Sequence, residues 1–194
     1  MLQIFRDAGA ILEGHFLLTS GRHSGTYLEK FQVLQYPTYT ERLCRLIADH
    51  FRESGVDLVA GPTTGGIILS YEVARQLGTR ATGAPAYRSG RPVRGIFAES
   101  DGAGRSFQRG FRVTPGERVL VVDDILTTGG SIRQVIEAVR GSGGVPLGVG
   151  VLVDRSGGQV DFGLPLYACT ELEIAAYDAS ECPLCRQGTP LTKT

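Results

Sequence analysis

The chain has 194 residues, 42% of them apolar and 21% charged, which excludes wholesale disorder and fibrous repeats and suits one large domain. Twenty basic residues balance twenty acidic ones, so no global field favours nucleic acid or an anionic membrane, and any anion site has to be local. No apolar run approaches the ~20 residues of a membrane span and the N-terminus lacks a signal-peptide layout, so a cytoplasmic protein with reduced thiols is expected, without membrane or nucleic-acid partners.

The N-terminal stretch is weakly amphipathic and runs into a polar, Gly-rich passage, Thr19-Ser20-Gly21-Arg22-His23-Ser24-Gly25. It reads as a small appendage, over residues 1–39, in which His23 is a solvated loop residue. Leu43, Leu46, Ile47 and Phe51 recur at helical spacing before Gly55, predicting a helix over 40–54. A short apolar run at 57–61 then enters the turn Pro62-Thr63-Thr64-Gly65-Gly66, and a second helix is predicted over 67–77.

Residues 85–110 are rich in Gly, Arg and Ser, with a weak strand at 95–98 and a mobile loop at 101–104. Val119-Leu120-Val121-Val122 has the continuous apolar, β-branched character of a strand buried on both faces, and Ile132, Val135, Ile136 and Val139 mark a helix over 131–140. Another apolar run fills 147–153, and 164–169 reads as an edge strand. Repeated strand, loop and helix units predict an α/β fold: a parallel twisted sheet flanked by helices, with ligands at the carboxyl ends of the strands. Residues 180–194 form a tail. Within it Cys182-Pro183-Leu184-Cys185 is a CxxC without a second pair at ligand spacing, which reads as a turn rather than a metal site.

The chemistry concentrates in Asp123-Asp124-Ile125-Leu126-Thr127-Thr128-Gly129-Gly130-Ser131, between the central strand and its helix. Glycines let backbone N–H groups approach an anion, hydroxyls add donors, and a helix N-terminus contributes unpaired N–H groups and a positive dipole end. Two adjacent carboxylates beside a phosphate make sense if that phosphate belongs to a sugar whose hydroxyls donate to them. The competing reading is a strand-to-helix turn in which Thr and Ser cap the helix and the acids face solvent.

The string from Val119 to Ser131 resembles the signature of type I phosphoribosyltransferases, which bind 5-phosphoribosyl-1-pyrophosphate (PRPP). Gly14-His15-Phe16-Leu17-Leu18-Thr19-Ser20-Gly21-Arg22, Tyr27-Leu28-Glu29-Lys30, Gly61-Pro62-Thr63-Thr64-Gly65-Gly66 and Val153-Asp154-Arg155 extend the resemblance to orotate phosphoribosyltransferases in particular. That resemblance implies transfer of a phosphoribosyl group from PRPP to orotate, giving orotidine 5′-monophosphate and pyrophosphate in de novo pyrimidine biosynthesis, with Mg²⁺ carried by PRPP rather than held by protein side chains, and a homodimer. It places the 5′-phosphate on Thr127 to Ser131 and the ribose hydroxyls on Asp123 and Asp124. Pyrophosphate falls on Thr63, Thr64 and Gly65, orotate on Thr127 and Arg155, and the N-terminal appendage becomes a hood over the base.

The chain departs from the lysine-rich members of that family. The region matching their mobile loop has neither lysine nor histidine, and Thr19 and Thr64 stand where a hood lysine and a loop lysine are expected. Lys30 and Lys193 are the only lysines. Arg105 and Arg109 are the candidate loop cations, with Arg88, Arg91 and Arg94 in reserve. The alternatives to the orotate reading are a transferase for another base and a non-catalytic PRPP-sensing regulator.

Overall fold

The computed structural model describes residues 1–18, 20–78 and 92–193. Thr19, Arg88 and Arg91 lie outside the described residues. The elements in chain order begin with α1 (Leu2–Asp7), β1 (Ile11–Leu17), β2 (His23–Leu28), α2 (Phe31–Leu34) and α3 (Pro37–His50). They continue through β3 (Leu58–Pro62), α4 (Gly65–Leu77), β4 (Arg94–Ser100), β5 (Arg105–Ser106), β6 (Arg118–Leu126), α5 (Gly130–Gly141) and β7 (Val145–Asp154). The last are β8 (Leu166–Glu171), β9 (Ala176–Tyr177), α6 (Pro183–Arg186) and β10 (Thr192–Lys193).

The main sheet has the order β5-β4-β3-β6-β7-β8 and is parallel except for β5. Successive side chains of a strand point to opposite faces, and both faces are apolar here. Val59, Leu120, Val122 and Leu152 pack with α3 and α4, whereas Leu58, Ala60, Val119, Val121, Val149 and Val151 pack with α5. The connection from β3 through α4 leads to β4, on one side, and that from β6 through α5 leads to β7, on the other. The chain therefore reverses direction across the sheet between β3 and β6. A crevice opens at the carboxyl ends of strands at such a point.

The register deepens that crevice. β7 accompanies β6 as far as Leu126, but β3 pairs with β6 only as far as Val121, so Asp123 and Asp124 lie in the strand beyond its last partner on that side. The predicted helix over 40–54 starts earlier, at Pro37, because proline at the first helical position is preorganised for the turn. It ends at His50, followed by a short 3-10 turn and Gly55 at φ +67°.

A second sheet, β10-β1-β2-β9, is built from both ends of the chain. The β1–β2 hairpin is antiparallel, β10 joins β1 in parallel through Phe16 and Leu17, and β9 joins β2 through His23 and Ser24. His23 is thus a buried strand residue, 6% exposed, and not the solvated loop residue its neighbours imply. Pairing across the sheet outweighs the loop propensity of Gly21, Ser24 and Gly25.

Candidate active site

Two loops meet at the crevice. The first leaves β3 at Pro62 and enters α4 at Gly65, and the second leaves β6 at Leu126 and enters α5 at Gly130. Neither helix has a side-chain cap at its N-terminus. Thr127, Thr128 and Ser131 are exposed, and capping by these hydroxyls, the alternative reading of the motif, is not what they do. The free N–H groups and dipole ends of both helices therefore face the crevice, which suits two anionic groups at once.

Close approach is enforced by glycine. Gly129 adopts φ +77°, and a Cβ there would lie 2.9 Å from Val160 and 3.0 Å from Phe162. At Gly65 an added Cβ would fall 1.7 Å from Oδ2 of Asp124. The first loop thus rests directly on the carboxylate of the second.

Asp123 and Asp124 are 8% and 3% exposed. Asp123 Oδ1 accepts the backbone N–H of Asp124 at 2.9 Å, and Asp124 Oδ1 accepts the N–H of Ile125 at 2.8 Å. Lys30 Nζ donates to the same Asp124 oxygen at 3.1 Å. Asp124 Oδ2 is buried without a hydrogen-bond partner. A buried polar atom left in that condition costs stability, and polar groups of a ligand relieve it.

Burial, and secondly the neighbouring Asp124 charge, push the carboxyl of Asp123 up to about 7, with the Asp124 amide, Lys30 and Arg105 opposing. Burial also raises Asp124, against the pull of Lys30. The pair resists being doubly ionised until hydroxyl donors or cations arrive.

Arg105 stands beside the first loop. Its Nη1 donates to Thr63 Oγ1 at 3.0 Å and to the carbonyl of Ala98 at 3.1 Å, while Nε is buried without a partner. Arg109 is committed elsewhere, gripping both carboxylate oxygens of Glu99 at 2.8 and 2.9 Å. Arg94 sits at the far end of β4, where it holds Glu117.

Arg155 follows β7, and its backbone N–H donates to Leu126 at 2.8 Å, which sets it beside the second loop. It makes no ion pair with Asp154, whose carboxylate instead accepts the N–H of Ser156 at 2.7 Å. Its Nε is buried and unpartnered, and burial lowers the proton affinity of the guanidinium. Its guanidinium is a planar donor fork suited to bidentate contact with an anion.

The crevice brings together Asp123, Asp124, the residues of both loops, Arg105 and Arg155, and leaves Arg109 to its ion pair. Lys30 closes the motif Tyr27-Leu28-Glu29-Lys30, but that motif gave it no partner. As one of two lysines in an arginine-rich chain it stood out in composition, but its contact with Asp124 spans 94 residues and no local pattern encodes it.

A phosphoribosyl transferase domain family matches residues 32–178. The orotate phosphoribosyltransferase of Pelotomaculum thermopropionicum is 50% identical over 193 residues, covering 100% of this chain and 94% of that protein. That of Caldanaerobacter subterraneus subsp. tengcongensis is 48% identical with the same coverage. Among solved structures, orotate phosphoribosyltransferase from Aeropyrum pernix superposes with a TM-score of 0.65 at 26% identity, over 88% of this chain and 94% of that one. With the two glycine-bearing loops and the paired acids in place, the full-length likeness makes this chain a member of the orotate phosphoribosyltransferase family.

Proposed function

We propose that the crevice between β3 and β6 binds PRPP and orotate and transfers the phosphoribosyl group to the base, releasing pyrophosphate. One observation carries the assignment of roles: two uncapped helix N-termini flank a buried carboxylate pair that keeps an unpartnered oxygen. The loop Thr127-Thr128-Gly129-Gly130-Ser131 would seat the 5′-phosphate on the α5 amides. Asp123 and Asp124, with Ile125 and Leu126 holding the strand, would accept the ribose hydroxyls. Thr63, Thr64 and Gly65 would seat the pyrophosphate on the α4 amides, and Arg155 with Thr127 would orient orotate.

The reaction places little demand on side-chain acids or bases, because orotate is already anionic and the leaving pyrophosphate carries its own charge. Positioning two anions around a developing oxocarbenium ion supplies most of the rate. Arg105 contacts the pyrophosphate loop through Thr63, and it would stand in for the missing lysines as charge builds on the leaving group. Lys30 opposes the upward push of burial on Asp124 and so favours the carboxylate that accepts a hydrogen bond from the sugar.

The hard oxygen donors of Asp123 and Asp124 fit Mg²⁺ arriving with PRPP. When bound, that ion neutralises negative charge on the diphosphate. Function in the cytoplasm as a homodimer is part of the same proposal and is supported by the family resemblance. Light scattering on the purified chain tests the dimer.

Purified protein supplied with PRPP, Mg²⁺ and a panel of bases should form nucleotide and pyrophosphate with orotate at least tenfold faster than with any purine. Tight PRPP binding without turnover on any base would overturn the proposal in favour of a sensor.

A further inference from the structure

A second cluster of titratable, metal-ligating side chains lies in the small sheet. His15 and His23 come from the β1–β2 hairpin, and Cys182 and Cys185 from the start of α6. Their ligating atoms all lie within 4.8 Å of one another. His15 Nε2 is 3.0 Å from His23 Nδ1, 3.5 Å from Cys182 Sγ and 3.7 Å from Cys185 Sγ, and His23 Nδ1 is 3.3 Å from Cys185 Sγ. We propose that these four residues form a tetrahedral Zn²⁺ site that fastens the two ends of the chain together.

The distances match the ion. Zinc bonds of ~2.0–2.1 Å to nitrogen and ~2.3 Å to sulfur give tetrahedral edges of about 3.3 Å between nitrogens, about 3.6 Å from nitrogen to sulfur and about 3.8 Å between sulfurs. Two imidazoles and two thiolates form a closed donor set of the structural kind, too soft for Mg²⁺ or Ca²⁺.

The outer contacts agree. His15 Nδ1 lies 2.8 Å from the carbonyl of Thr189, an acceptor only, so this nitrogen carries the proton and Nε2 presents its lone pair to the cluster. His15, His23 and Cys182 are 2%, 6% and 0% exposed, whereas Cys185 is open to solvent and offers an entry path.

The backbone is shaped to this end. Register breaks between Glu13 and Phe16 in the pairing of β1 with β2, and the irregularity puts His15 and Phe16, adjacent in sequence, both in the interior. A bulge re-aims a side chain in this way. The small sheet needs a fastener, since β9 and β10 contribute two residues each and α6, which Cys182 precedes and which contains Cys185, has only four. Small units with little core commonly draw their stability from such an ion. The CxxC taken as a turn has its ligand partners in the hairpin, more than 150 residues away in sequence.

The test uses untagged, full-length protein purified under reducing conditions from zinc-supplemented medium. Elemental analysis should find about one zinc per chain. Replacement by Co²⁺ should give the visible bands of a tetrahedral site together with thiolate-to-cobalt charge transfer in the near ultraviolet. Cys185→Ser and His23→Gln should each reduce zinc content at least tenfold while the far-ultraviolet circular dichroism of the main sheet persists, and Cys169→Ser should keep its full zinc. The proposal is overturned if reduced wild-type protein takes up no zinc and gives no thiolate charge-transfer band with Co²⁺. Equal loss of zinc in Cys169→Ser and Cys185→Ser would overturn it too, as would a Cys182–Cys185 disulfide found by mass spectrometry in thiol-trapped native protein.

Discussion

Replacing Asp123 with Asn should make the empty protein more stable and the enzyme worse. The carboxyl of Asp123 sits at about 7 in the fold against an ordinary aspartate value of 3.8, chiefly because it is buried. A raised acid binds its proton more tightly when folded. Its contribution to stability is therefore complete below the unfolded value and is lost as pH rises through about 7. Three pH units of displacement correspond to at most ~4 kcal/mol, and relaxation of the pair reduces this to about 2–3 kcal/mol. Asn reproduces the neutral form at every pH, so at pH ~8 the variant should melt roughly 5–10 °C above wild type, and the gain should shrink by more than half at pH ~5. PRPP affinity should fall about 10–100-fold, the value of a charge-assisted hydrogen bond to a sugar hydroxyl. Thermal melts at the two pH values with calorimetric titration of PRPP provide the assay. A variant no more stable than wild type at pH ~8, or one equally stabilised at both pH values, refutes the reasoning.

Gly65→Ala should displace Asp124, because the new Cβ would overlap Oδ2, and lower kcat/KM for PRPP roughly 100-fold in steady-state assays with little change in secondary structure. Lys30→Met removes the cation that opposes the upward push of burial on Asp124, so the acid limb of the pH–rate profile should move upward when kcat/KM is followed across pH. Arg155→Ala should raise the KM for orotate about 10–100-fold and leave PRPP affinity nearly unchanged, a split that kinetics with each substrate varied in turn will detect. Arg105→Gln should lower kcat at least tenfold with a smaller effect on PRPP binding, measured by single-turnover kinetics, since its charge matters most as the leaving group departs.

Sequence patterns anticipated the parallel strands of the main sheet because these are encoded locally, whereas the two-residue β5 carries no such signal. Val119 to Val122 is apolar on both faces, and glycine or proline stands at each turn into a helix. The loop from Thr127 to Ser131, proposed here to seat the 5′-phosphate, stands out in the sequence for the same reason: its residues are contiguous. What escaped was long-range. The Lys30–Asp124 pair and the burial of His23 depend on chain segments that meet only in the fold, and the bulge that turns His15 inward leaves no local signature. Arg105 and Arg109 looked equivalent in sequence, yet Thr63 engages the first and Glu99 the second.

The parallel pairing of β10 with β1 also governs when the protein can finish folding. Strands from β3 to β8 follow one another closely along the chain and can assemble as they leave the ribosome, but the N-terminal hairpin must wait for residues 192–193 to be released before its sheet is complete. Until then its open edge is exposed to mispairing.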